Sequence, residues 1–425
     1  MDRQCAEYKN YISVLNEELI PAMGCTEPVA IAYAAAKCRE TLGCIPDTCA
    51  LYVSGNIIKN VKSVVVPNTG GLMGLRAAVA AGIVAGKSEL MMDVIAETRP
   101  EQIKEIHDYL ASSHISVERR EGESALYIEL IVSGGGHSAR TVISDYHTNI
   151  VLVEKDGEVL WQKKAIQRSS FASDHGMMTI EGIWDFSNTF ALEDAADVLD
   201  RQIKCNEAIS REGLEKPWGA EIGRIIRAGE SGAKECAMAR AAAGSDARMS
   251  GCEMPVVIVG GSGNQGLTVT MPILEYAARL DSGHEKTCRA LALADLLAVY
   301  LKRGIGRLSA YCTAVTAGVA AGCAVAYLDG GDINAVKHTI VNSLGILSGM
   351  FCDGAKPSCA AKVANSVANG ILGYEMYKNG RDFHGGEGFL QDTADRTIDV
   401  VAELAKFGMK DTDSRILEIM VASSN

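Results

Sequence analysis

The sequence predicts an α+β protein: a large helical body of packed small-residue helices with a small antiparallel β-lobe inserted. Three observations carry this. Apolar residues recur at helical spacing over most of the chain from about residue 179 onward. Between about residues 114 and 155, Val, Ile, Tyr and Thr alternate between Gly-containing turns. The composition, with 43 glycines and only 5% aromatic residues among 425, suits helices that approach one another closely.

Taken in order, residues 1–20 read as a helix with apolar positions at Tyr8, Ile12, Leu15 and Leu19, stopped by Pro21. The loop 21–28 leads into an Ala-rich helix over 29–42, and Leu51 to Ser54 reads as a short strand. Pro67-Asn68-Thr69-Gly70-Gly71 is a turn-rich loop before a second Ala/Gly helix at about 72–86. Segments 114–119, 125–134, 138–146 and 149–155 form the antiparallel sheet. Helical stretches follow at 193–213, 219–243, 284–303, 309–328, 333–350, 358–378 and 393–407, without a repeat of fixed period. The expected division is residues 1–90 with 179–425 as a helical catalytic domain and 91–178 as the small lobe.

Composition excludes several functions. A formal charge of −12 without a basic run argues against nucleic acid as a partner. Ser309 to Leu328 runs twenty residues without a charge, which is spanning length, yet it is Ala, Gly, Thr and Cys rather than Leu, Ile or Phe; it reads as a helix buried in a bundle. The N-terminus lacks the apolar core of a signal peptide, and thirteen cysteines, an odd number, read as reduced thiols, so a cytoplasmic location is expected.

Several motifs bear on chemistry. Gly261-Ser-Gly-Asn-Gln-Gly266 matches G-x-G-x-x-G after an apolar run, but Pro272 interrupts soon afterwards and no βαβ alternation follows, so a dinucleotide fold is not indicated. Its glycine-rich backbone and the amides of Asn264 and Gln265 suit a small anion such as a carboxylate. Cys25 opens a helix, where the helix dipole would lower a thiol pKa, although a cysteine taken alone is more often a small buried hydrophobe. Cys312, Cys352 and Cys359 sit among Gly, Ala, Ser and Thr without a C-x-x-C pair, which rules against zinc-finger spacing and leaves a cluster as one of several uses. Cys323, eleven residues beyond Cys312, is the rival ligand on the same helix. His147 lies at a strand junction, where a histidine serves as a base, as a carboxylate partner or simply as a solvated surface group.

In combination, Pro21-Ala-Met-Gly-Cys-Thr-Glu-Pro28, Ser54-Gly-Asn56, Pro67-Asn-Thr-Gly-Gly71, Gly260–Gly266 and the three-cysteine spacing resemble the L-cysteine desulfidase family, related to the α part of iron–sulfur L-serine dehydratases. The resemblance runs from about residue 10 to 405. It implies a [4Fe-4S] cluster on Cys312, Cys352 and Cys359 and a catalytic thiol at Cys25. The Gly-Cys-Thr-Glu-Pro loop stands where the serine dehydratases carry Ser-His-Thr, which favours cysteine over serine as substrate. β-Elimination to pyruvate, ammonia and sulfide is the implied reaction, with the carboxylate held by Asn56, Asn68, Thr69, Gly70, His147, Ser262, Asn264 and Gln265. The expected partner is thus a small amino acid, with no nucleic acid and no membrane, and a homodimer is allowed. Three other readings compete: a pyridoxal-phosphate lyase using a lysine such as Lys59 or Lys62, a non-catalytic iron–sulfur binding protein, and a small-molecule-binding helical protein with no metal.

Overall fold

The computed structural model describes residues 1–163, 173–229, 232–305 and 309–422. Helices α1 (Ala6–Glu18), α2 (Thr26–Leu42), α3 (Gly55–Val61), α4 (Leu75–Ala85) and α5 (Pro100–Ser112) precede and interleave the strands β1 (Pro21–Met23), β2 (Thr48–Val53), β3 (His114–Arg119), β4 (Tyr127–Gly134), β5 (His137–Ser144), β6 (Ile150–Lys155) and β7 (Glu158–Gln162). The helical body follows as α6 (Ile180–Thr189), α7 (Ala196–Glu215), α8 (Ile222–Arg227), α9 (Ala233–Met249), β8 (Pro255–Val257), α10 (Gly263–Arg279), α11 (His284–Leu301), α12 (Ala314–Leu328), α13 (Ile333–Ile346), α14 (Cys359–Lys378), α15 (Ala394–Glu403) and α16 (Lys410–Ala422). The α+β class with a helical body is what the sequence predicts.

The sheet is larger than expected and mixed. Its order is β3-β2-β4-β5-β6-β7, with β2 parallel to β3 and every other pair antiparallel. The strand at 51–54 therefore starts earlier and sits inside this sheet. A separate two-stranded ribbon pairs β1 with β8, Ala22 opposite Val256, and ties the Cys25 loop to the Gly260–Gly266 loop. Residues 25–143 form one continuous apolar cluster in which α2 and α4 lie against the sheet. The cluster holds residues on both sides of position 91, from Cys25–Ala85 and from Val94–Ile143.

Three further expectations change. The stretch 219–243 is two helices, α8 and α9, with Gly229 and Gly232 at the break. Pro272 does not stop the segment after the glycine loop: α10 runs through it, and Thr268 and Thr270 hydroxyls donate to the carbonyls of Asn264 and Gly266 one turn back. The uncharged run at 309–328 is helical only from Ala314, because Tyr311 pairs with Phe351 in an antiparallel bridge. Among the described residues no helix is long and apolar enough to cross a membrane.

Two packing features position the site. At the α12–α14 crossing a Cβ on Gly370 would lie 1.8 Å from the Gly318 carbonyl oxygen, and one on Gly322 would lie 2.1 Å from that of Gly370. Only glycine permits this approach, which sets the spacing of the two N-termini that follow Cys312 and begin at Cys359. Beneath β8, Asn206 exchanges hydrogen bonds with both backbone groups of Val257, and Gln202 bridges Thr270 to Asp295. Burial pushes the Asp295 carboxyl up to about 8, against the Gln202 hydrogen bond, so it is protonated at neutral pH.

Gly370→Ala should cost about 1–3 kcal/mol by overpacking, read from the denaturation midpoint; an unchanged midpoint would show that the crossing has slack. Because the folded Asp295 pKa lies above its unfolded value of about 3.9, stability falls as pH rises from about 4 to about 8. Asp295→Asn should flatten that fall, giving a urea midpoint above wild type at pH 8 and little changed at pH 5. Parallel pH profiles would refute the assignment.

Candidate active site

Four helices, α2 from the sheet side and α10, α12 and α14 from the body, begin at one cavity. Its lining takes Cys25, Thr26 and Glu27 from the start of α2, Ser262, Asn264 and Gln265 from α10, Cys312, Thr313 and Ala314 at α12, and Cys359 and Lys362 from α14. Asn56 on α3, Arg248 on α9, Tyr311 and Cys352 complete the wall. The space is about 130 Å³, well below the roughly 300–1,000 Å³ of drug-sized pockets. Helix N-termini carry unsatisfied N–H groups and partial positive charge, so the cavity favours anions.

Cys25 is the N-cap residue of α2 but does not cap it with its side chain. Its Sγ donates instead to Glu27 Oε2 at 3.0 Å, while Thr26 Oγ1 donates to the same oxygen at 3.1 Å and Asn60 Nδ2 to Oε1 at 3.0 Å. Burial pushes the Cys25 thiol well up, the Glu27 charge adds to this, and Arg248 opposes it. The expectation of a thiolate created by the helix dipole is therefore overturned: desolvation and an adjacent carboxylate outweigh a dipole worth at most about 2 kcal/mol. Burial also resists ionisation of Glu27. The charge of His147, the Cys25 hydrogen bond, the backbone and Arg248 together outweigh it and hold the carboxyl below its usual range. The resting pair is a neutral thiol donating to a carboxylate.

Cys312, Cys352 and Cys359 all face this cavity. The Tyr311–Phe351 bridge joins two of their segments, with Cys312 N–H donating to Met350 O at 2.9 Å and Cys352 N–H to Ala310 O at 2.6 Å. Burial pushes Cys312 up to about 12, and the neighbouring Cys352 adds to it. Burial likewise raises Cys359, against the charge of Lys356. A four-iron cluster takes each protein thiolate on a different iron, so three thiols from separate segments around one cavity match its donor chemistry. Cys323, the rival, is fully buried elsewhere and donates to Val336 O.

The structure gathers Asn56, Ser262, Asn264 and Gln265 into the cavity wall. It does not bring Asn68, Thr69 or Gly70 there. Asn68 Nδ2 donates to Ile95 O, Thr69 Oγ1 donates to Val66 O, and Gly70 lies against Ile103 and His107. His147 lines a narrower cleft with Asp145 and Gly260 on another side of Glu27, where its charge favours the carboxylate. Lys59 Nζ is committed to Asp413 and Ser309 O, and Lys62 Nζ donates to Met420 O. A second group of possible metal ligands, Asp200, His284 and Cys288, lies on α7 and α11 away from the cavity, with two of the three exposed.

The sequence of the family described as serine dehydratase alpha chain matches residues 87–418. The chain belongs to this family. The UPF0597 protein DSY1109 of Desulfitobacterium hafniense is 48% identical over 99% of this chain and 98% of its own length. UPF0597 proteins of Finegoldia magna and Treponema denticola are 44% and 39% identical, covering 97% and 98% of this chain and 99% and 98% of their own. Membership in the serine dehydratase alpha chain family points to a lyase acting in amino-acid breakdown.

Sequence reasoning missed Glu27 and Arg248. The Thr-Glu after Cys25 was a signal for Glu27, since a helix's first turn favours an acid. Nothing local marks Arg248, which enters the cavity only through tertiary packing of α9 against α10. Glu27→Gln removes the charge that raises the Cys25 pKa, so alkylation of Cys25 at pH 8, followed by peptide mass spectrometry, should be several-fold faster than in wild type. Arg248→Gln should slow it. The opposite order would show that Glu27 does not hold the thiol proton.

Proposed function

We propose that this chain catalyses β-elimination of L-cysteine to pyruvate, ammonia and sulfide, with L-serine as a slower substrate. The observation that carries this reading is that the Cys25–Glu27 pair and three separated thiols line one cavity of small-molecule size. Family membership supports the reaction class; the cysteine loop at 24–28 supports sulfur over oxygen as the leaving atom.

Cys312, Cys352 and Cys359 would hold a [4Fe-4S] cluster, and the donor set fits it: three half-buried thiols line one cavity, two of them at the starts of α12 and α14. When bound, such a cluster supplies an iron without a protein ligand, a Lewis acid for the β-leaving group. The chain's own residues handle the proton. Glu27 Oε2 takes it from Cys25 Sγ across the 3.0 Å hydrogen bond, and the thiolate removes the α-proton of the substrate. Asn60 and Thr26 hold Glu27 in place. The departing sulfur leaves as hydrogen sulfide after gaining the proton stored on Glu27. The aminoacrylate left behind becomes the imine and hydrolyses to pyruvate and ammonia.

The deciding experiment is anaerobic reconstitution with iron and sulfide, followed by assay of pyruvate and sulfide from L-cysteine and pyruvate from L-serine. Cys25→Ala should lose about 10²–10⁴-fold in kcat while keeping the visible absorbance of the cluster. Cys312→Ser should lose that absorbance along with activity. Full turnover by iron-free protein would refute the reading, and cluster binding without turnover of any amino acid would favour the non-catalytic alternative.

A further inference from the structure

The cavity contains a cation that, among the described residues, makes no ion pair with a carboxylate, although Glu27 in the same wall feels its charge. Arg248, on α9, is only 5% exposed and lines the cavity. Its Nη1 reaches Asn264 Oδ1 at 3.3 Å and the Met249 sulfur at 4.0 Å, both uncharged, and its Nε has no hydrogen-bond partner. The other cations of the wall are engaged: Lys59 with Asp413, Lys362 with Asp353 and Lys302 with the Gly260 carbonyl. A buried guanidinium with an unpartnered Nε and no ion pair is costly, so its place in the wall suits an anion that enters from outside the protein.

The surroundings are shaped for that guanidinium and for a polar ligand. A Cβ on Gly263 would lie 2.4 Å from Arg248 Nε, so the second glycine of the Gly261–Gly266 motif makes room for the side chain. Both amide atoms of Gln265, which is 1% exposed, lack partners, as do Asn56 Oδ1 and Tyr311 Oη. Donors and acceptors are therefore both left open in one wall. The first-turn N–H groups of α10 start beside them, at Gly263.

We propose that Arg248, supported by Gln265 and the N-terminus of α10, is the subsite for a substrate α-carboxylate. The orphaned acceptor Asn56 Oδ1 then stands ready for an ammonium hydrogen, so the pocket selects a zwitterionic α-amino acid over an amine or a simple thiol. This deepens the elimination reading and rests on it only for the identity of the reacting group; the carboxylate subsite stands or falls separately.

The test is isothermal titration of the anaerobic, cluster-loaded protein with three probes: L-alanine, which has no leaving group, 3-mercaptopropionate, which keeps the carboxylate, and cysteamine, which lacks it. Wild type should bind the first two, and Arg248→Gln should weaken both by about 10–100-fold, the range of a charge-assisted hydrogen bond. Cysteamine should bind more weakly than either and should not respond to the substitution. In turnover the same variant should raise KM more than it lowers kcat, with Arg248→Lys partly restoring it. Should Arg248→Gln fail to fold, Gly263→Ala, which crowds the guanidinium, and the wild-type probe series decide. Equal binding of cysteamine and L-alanine by wild type, or L-alanine binding unchanged by both substitutions, overturns the proposal. Arg248-dependent L-alanine binding without turnover of L-cysteine or L-serine would uphold the subsite and refute the reaction; turnover with an unchanged KM in Arg248→Gln would do the reverse.

Discussion

The arrangement on which this structure depends is the aiming of the N-termini of α2, α10, α12 and α14 into a single cavity. Each brings about half a positive charge and several N–H groups without acceptors. Packing four like-signed helix ends together is unfavourable unless anions gather among them. Glu27 is one such anion, and three thiols able to become thiolates surround the rest. The small-residue composition follows from the same requirement. Helices bring their ends this close only if they cross closely, and α12 and α14 cross with glycine carbonyls almost against glycine Cα atoms.

The field of the helix ends is opposed at Cys25 by a larger effect. A dipole acts on a thiol within a kilocalorie or two, whereas full burial beside a carboxylate acts over several. The thiol therefore stays protonated, and its reactivity depends on where its proton goes rather than on a thiolate already present. Glu27 answers that need: its two oxygens accept from Cys25, Thr26 and Asn60, so it is held in position to receive the proton. The two shifts run in opposite directions, the thiol up and the carboxyl down, so the resting proton stays on Cys25.

Much of this was legible in the residues. Helical spacing located most of the body, alternation located the lobe, and the short motifs around Cys25, Asn56 and Gly261–Gly266 converge in space as their chemistry suggested. What stayed hidden has identifiable causes. Pro272 reads as a helix stop because local sequence does not show the hydroxyls of Thr268 and Thr270 or the burial that carries α10 past it. The turn chemistry of Asn68–Gly70 resembles that of a ligand loop, but there the polar groups are used on the protein's own carbonyls. Arg248 is one of many arginines in the sequence, and only its burial in the cavity wall with an unpartnered Nε distinguishes it. The parallel β2–β3 pair joins strands sixty residues apart, a distance over which periodicity carries no information.

The bridge between Tyr311 and Phe351 has one more consequence. It fixes two of the three thiols through main-chain hydrogen bonds, and the glycine crossing fixes the helix on which the third begins. Neither device involves a ligand. In a zinc finger the metal organises the chain around itself; here main-chain pairing and a glycine contact set where the three thiols stand.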